Sequence, residues 1–135
     1  MSTIAFDGTM VAADWLICSG ENRCPLDFAK LRRGLGCVYG LCGSIGPFQD
    51  WIDWFEDPHR SLSQSPASYT DEAMCFIVFR KGQHALQFTK AMLYGVECGF
   101  PEAWGSGRDL AIGSMESGKN AKFAVSVAMR RDTHS

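Results

Sequence analysis

Residues 37–42, Cys37-Val38-Tyr39-Gly40-Leu41-Cys42, are apolar whichever way they face. A strand of that kind suits the middle of a sheet, and Gly40 and the following Gly43 mark places where backbone approaches backbone or a ligand. Directly downstream the period changes. Pro47 opens a segment in which Phe48, Trp51, Ile52 and Phe55 recur at i, i+3, i+4 and i+7, with Asp50, Asp53 and Glu56 elsewhere on the wheel. That spacing predicts a helix with one buried face. Trp54 lies off that face and is expected to be exposed, where it would suit a subunit contact.

The rest of the chain arranges itself around this strand and helix. Residues 2–6 and 9–14 are short apolar stretches separated by Asp7-Gly8, a strong hairpin signal. Residues 15–27, with Gly20, Asn22 and Pro25, read as irregular, and 28–33 precede the breakers Gly34 and Gly36. Residues 57–72 read as an exposed loop. Met74 to Phe79, Ala85 to Phe88 and Met92 to Val96 form an antiparallel meander around a Lys81-Gly82 turn. From Ser106 the texture is helical: Arg108 to Glu116, a break at Ser117-Gly118, then Asn120 as N-cap for Ala121 to Arg131. Small residues at Ala111, Gly113, Ser114, Ala121, Ala124 and Ala128 permit close packing of these helices. Strands, helix, strands and helices in that order imply an α+β layered domain instead of βαβ alternation.

At 135 residues the chain has the length of one domain, and an apolar fraction of 46% with 21% charged residues is ordinary for a globular one. A net charge of -2 lacks the electrostatic footprint of a general nucleic-acid or membrane-surface binder. Asp7 and Asp14 occupy the stretch where a secretion signal would be basic and then purely apolar, so a cytoplasmic location is expected. The six cysteines contain no C-x-x-C and do not pair with His59, His84 or His134 at ligand spacing, so free thiols and no metal are expected.

Ser2 follows the initiator methionine and is small enough for that methionine to be removed, which would place a hydroxyl beside a free α-amine. With a reference pKa of about 7.7–8, such an amine is in good part an unprotonated base near neutral pH. Nucleophile and general base then belong to one residue. If Met1 stays, the amine is displaced and the site is blocked.

Four blocks give Ser2 a context. Ser2 to Gly8 with Met10 to Asp14 and then Lys30-Leu31-Arg32-Arg33 resembles the opening of proteasome β-type subunits and of the HslV-type bacterial peptidase. Tyr39 to Ser44 resembles that family's Gly-rich strand end. Ala103 to Ala111, with Gly105-Ser106-Gly107, is similar to its Gly-Ser-Gly lead into a helix, and Asp132-Thr133-His134-Ser135 resembles its Asp-x-x-Ser element. The resemblance implies an N-terminal nucleophile hydrolase, a four-layer αββα sandwich of two antiparallel sheets flanked by helices, C-terminally short because family members continue past the last element. It implies Ser2 as nucleophile, Lys30 favouring its alkoxide, Asp14 orienting Lys30, and Gly43 donating its N–H to an oxyanion. Ser106, Asp132 and Ser135 would secure the amine, and His134 would be structural. It further implies a hexameric or heptameric homo-oligomeric ring, single or double, with a polypeptide substrate and room for a separate ATP-dependent unfoldase. The chain itself has no Gly-x-x-x-x-Gly-Lys-Ser/Thr loop. Two alternatives stay open: an inactive ring or assembly protein of the same fold, and an amidase of the same superfamily acting on a small molecule.

Overall fold

The structure is a computed structural model and describes residues 3–13, 30–43, 46–66, 74–80 and 82–131. In chain order the elements are β1 (Thr3–Phe6), β2 (Val11–Ala13), β3 (Leu31–Arg33), β4 (Cys37–Cys42), α1 (Phe48–Glu56), β5 (Cys75–Arg80), β6 (Ala85–Thr89), β7 (Met92–Cys98), β8 (Glu102–Gly105), α2 (Arg108–Glu116) and α3 (Ala121–Arg131). They build a three-stranded sheet in the order β2-β1-β8 and a five-stranded sheet in the order β3-β4-β5-β6-β7, antiparallel throughout.

Alternation along the strands sets the layers. In β4, Tyr39 and Leu41 join a core with Phe48, Trp51 and Ile52 of α1, whereas Cys42 joins a second core with Ile4, Phe6 and Trp104 of the other sheet. In β5, Phe76 and Val78 take the first side, Ile77 and Phe79 the second. The apolar character of Cys37–Cys42 thus has its cause: α1 covers one face and β1 with β8 the other. A third core lies beyond the small sheet, where Ala5 and Ala103 meet Ala111, Ala121 and Ala124 of α2 and α3. Helices, small sheet, large sheet and helix follow one another, the four-layer αββα sandwich that the residues and the resemblance had led one to expect. The alanines are fully buried, and the absence of longer side chains lets both helices sit close on β1.

The aromatic core under α1 centres on Phe76, which stacks on Trp51 (5.6 Å between centroids) and on Tyr39 (5.7 Å). Burying a side chain of that size stabilises by about 1.5–3 kcal/mol. The Tyr39 hydroxyl donates to Glu56 Oε2 at 2.8 Å and ties β4 to the end of α1. Burial first, then Cys37 and Glu56, pushes this phenol well above its ordinary range, so it stays a proton donor.

Four expectations are corrected. Trp54 is not exposed: it is 8% accessible, its ring meets Trp51 and Phe88 edge-on, and its Nε1 donates to Ser61 O at 2.9 Å. The chain after α1 folds back over the helix, with Arg60 donating to Phe55 O and lying over the rings of Trp54 and Phe55. Part of the segment read as a plain exposed loop therefore caps the core. The hairpin turn spans residues 7–10, not Asp7-Gly8 alone, because pairing ends at Phe6↔Val11; Asp7 Oδ1 accepts the N–H groups of Thr9 and Met10 and holds them in the turn. Among the small residues, Gly113 faces solvent and leaves the packing to the alanines. Finally, β8 was not anticipated. Four residues are too few for a period, and the strand is defined by its partner, from Thr3↔Gly105 to Phe6↔Glu102.

Candidate active site

Two sheets packed face to face bring their strand ends together, and one end of this sandwich collects the described residues with chemistry. β1 starts there at Thr3, which pairs with Gly105, and Ser106 follows directly in the turn that leads into α2. On the facing sheet, β3 starts after Lys30, whose carbonyl accepts the Leu41 N–H at 3.0 Å, and β4 ends at Cys42 before Gly43. The two sheets touch at this end. A Cβ on Gly40 would lie 3.4 Å from both Ile4 Cδ1 and Leu31 Cδ2, the residues that follow Thr3 and Lys30. The start of β1 is therefore laid over the start of β3, and what closes on Gly40 is the side chains of Phe79, Ile4 and Leu31, not the backbone that its sequence position suggested.

Lys30 is 3% accessible. An ammonium buried to that degree is tolerated only among groups that carry negative charge or accept hydrogen bonds. Lys30, Thr3 and Ser106 are each engaged with neighbours. Thr3 is fully buried, a polar residue at the head of β1 that sequence reasoning passed over; its position next to Ser2 was the available signal. Ser106 is exposed, and the buried Gly107 behind it caps α2 by accepting the Ala111 N–H at 3.0 Å.

Gly43 has φ +106, which a side chain rarely adopts, and a Cβ there would come within 3.3 Å of Met74 Cα and Cβ. The glycine is thus required by its own backbone and by the chain that leads into β5. Its amide stands in a strand-end turn, free of the regular ladder geometry, at the same end as Lys30.

Of the seven residues proposed for chemistry, the structure brings Lys30, Gly43 and Ser106 to one end of the sandwich. Ser2, Asp14, Asp132 and Ser135 lie outside the described residues, as do Cys18, Cys24 and His134. Thr3 begins β1 one peptide bond after Ser2. Among the described residues no group of His, Cys, Asp and Glu could hold a metal ion, and no helix is long and apolar enough to cross a membrane. The described cysteines Cys37, Cys42, Cys75 and Cys98 are free thiols, and burial pushes the Cys75 and Cys98 thiols up.

Comparison with known proteins bears on the architecture. No protein-family model matches the chain, and no curated protein matches it. Solved structures do. Thiobacillus denitrificans BPH matches with a TM-score of 0.62 at 18% identity over 96% of this chain and 89% of that one. Eukaryotic HslV from Trypanosoma brucei matches with 0.56 at 18% identity over 96% and 88%. The chain has the HslV-type fold. Thiobacillus denitrificans BPH in complex with epoxomicin gives 0.57 at 15% identity over 96% and 87%. At such identities the likeness is one of architecture: two antiparallel sheets between helices, over nearly the whole of both chains.

Proposed function

We propose that this chain is a proteasome-like peptidase subunit that hydrolyses peptide bonds with Ser2 as nucleophile once Met1 is removed. The observation that carries the reading is Lys30, a lysine whose residue is 3% accessible at the end of an HslV-type sandwich where β1 begins. A cation in that position has a direct chemical use. It favours the alkoxide of a hydroxyl at the chain terminus and, by repelling a second positive charge, keeps the neighbouring α-amine in its basic form.

Ser2 Oγ attacks the scissile carbonyl while its own α-amine takes the proton. The Gly43 N–H donates to the developing oxyanion, which needs a donor aimed in advance at where charge appears. The amine then delivers its proton to the leaving nitrogen, and an ester joins Ser2 to the acyl half of the substrate. Water, activated by the same amine, hydrolyses that ester and restores the hydroxyl. Asp14 orients Lys30, and Ser106, Asp132 and Ser135 hold the amine. The subunit works in a ring of six or seven copies, in the cytoplasm, on unfolded polypeptide or peptides, and any use of ATP belongs to a separate unfoldase.

The test is covalent labelling of the purified full chain by a peptide epoxyketone, with epoxomicin as the first compound because it is found in complex with Thiobacillus denitrificans BPH. Intact mass establishes whether Met1 is gone, and peptide mapping locates the adduct. Label on residue 2 that disappears in Ser2→Ala supports the mechanism. Equal labelling of both proteins, label confined to a cysteine, or Met1 still present in protein from the native host overturns it.

A further inference from the structure

At the opposite end of the sandwich from Lys30 and Gly43, the β1–β2, β3–β4 and β5–β6 turns surround a cleft of about 750 Å³. β4 separates the two ends, and its six residues span roughly 17–20 Å. The volume falls in the range of about 300–1,000 Å³ typical of small-molecule sites. Its apolar wall comes from both sheets: Phe6 and Val11 from the small one, Val38 and Phe79 from the large one. Arg33 and Arg80 also line it, and no described residue in the lining is acidic. Neither guanidinium meets a carboxylate among the described residues. Arg80 Nε is buried without a hydrogen-bond acceptor among them. The acid closest in sequence, Asp7, turns its carboxylate to the N–H groups of Thr9, Met10 and Ala121.

An apolar wall with two uncompensated cations at its edge, in a chain whose net charge is -2, selects for a ligand of matching chemistry. We propose that this cleft binds a small anionic amphiphile, a carboxylate on an aliphatic tail. The tail lies on Phe6, Val11, Val38 and Phe79. The carboxylate accepts from the terminal guanidinium nitrogens of Arg33 and Arg80, whose forked donors suit it. The site is independent of the peptidase reading, since none of its residues belongs to that machinery.

The experiment follows backbone amide shifts of the full chain titrated with decanoate and, separately, with decan-1-ol, which has the same tail and no charge. Saturable decanoate shifts centred on Gly36 and Gly82, with decan-1-ol at least about tenfold weaker, are the expected result. Arg33 is exposed, so Arg33→Glu should fold and should weaken decanoate by at least about tenfold. Shifts centred instead on the exposed Met92, Tyr94 and Val96 of β7, equal affinity for acid and alcohol, or undiminished binding by Arg33→Glu would overturn the proposal.

Discussion

Asp7 and Ala121 are 114 residues apart in sequence, and Asp7 Oδ2 accepts the Ala121 N–H at 2.8 Å. Ala121 is the first residue of α3, where backbone donors have no partner within the helix. Asn120 Oδ1 satisfies a second such donor, the Phe123 N–H, at 2.9 Å. Since Asp7 Oδ1 accepts from Thr9 and Met10, one carboxylate shapes the hairpin turn and fastens the last helix to it. Asp7→Ala removes all three contacts at once. The expected loss is about 1–3 kcal/mol, read as a lower urea midpoint with unchanged slope, and Asp7→Asn should lose less.

The same carboxylate gives stability a pH dependence. Burial favours its neutral form, but the N–H groups of Met10, Ala121 and Thr9 outweigh burial and hold the carboxyl below its ordinary value. A group whose pKa is lower in the folded chain stabilises fully above its unfolded value and loses that contribution as pH falls through the folded one. Urea midpoints measured from about pH 6 down to about pH 2 should therefore fall more steeply for wild type than for Asp7→Asn. Parallel curves would show that Asp7 titrates alike in both states.

Gly43→Ala tests two strains together, a φ of +106 and a Cβ within 3.3 Å of Met74 backbone. Gly36→Ala is the control, because Gly36 also has positive φ (+73) but a Cβ there meets nothing within 4 Å. The backbone penalty alone is about 1–2 kcal/mol. Thermal unfolding should place Gly43→Ala below Gly36→Ala, and the difference between them combines the more strained φ of Gly43 with the crowding against Met74.

Much of this architecture was legible because local signals and global packing agree. Phe48, Trp51 and Ile52 announce a helix face, and that face is buried; the break at Ser117-Gly118 and the Asn120 cap fall where α2 ends and α3 begins. What escaped depends on contacts distant in sequence. Glu102–Gly105 becomes a strand only through β1, and Trp54 is buried between Phe88 of β6 and the chain carrying Arg60 and Ser61 that returns over it. The site divides the same way. Gly43 could be read from its neighbours, whereas the burial of Lys30 and of Thr3 follows from laying one sheet on the other.

Lys30 carries the functional reading, so its replacement is the sharpest check on it. Lys30→Ala should lower the rate of epoxyketone labelling at residue 2 by about 10²–10⁴-fold, the usual contribution of a group that governs proton transfer. Near-ultraviolet circular dichroism of the variant reports whether the Trp51 and Phe76 core persists. Native-like spectra with wild-type labelling would remove Lys30 from the chemistry.

Two cysteines allow the competing nucleophile to be assessed directly. Burial raises the pKa of Cys75, and burial followed by the negative charges of Glu102 and Cys75 raises that of Cys98. Only the thiolate attacks an electrophile, so a raised pKa reduces the reactive fraction near neutral pH. Iodoacetamide at about pH 7.5 should alkylate both residues at least about tenfold more slowly in the folded chain than in urea, with the rate climbing as pH passes the ordinary thiol range. Mass mapping of a short alkylation pulse measures each residue separately. If Cys75 or Cys98 instead reacts as fast folded as unfolded, its thiol is neither shielded nor shifted, and adducts of any electrophilic peptide would have to be assigned against that cysteine before Ser2 is credited.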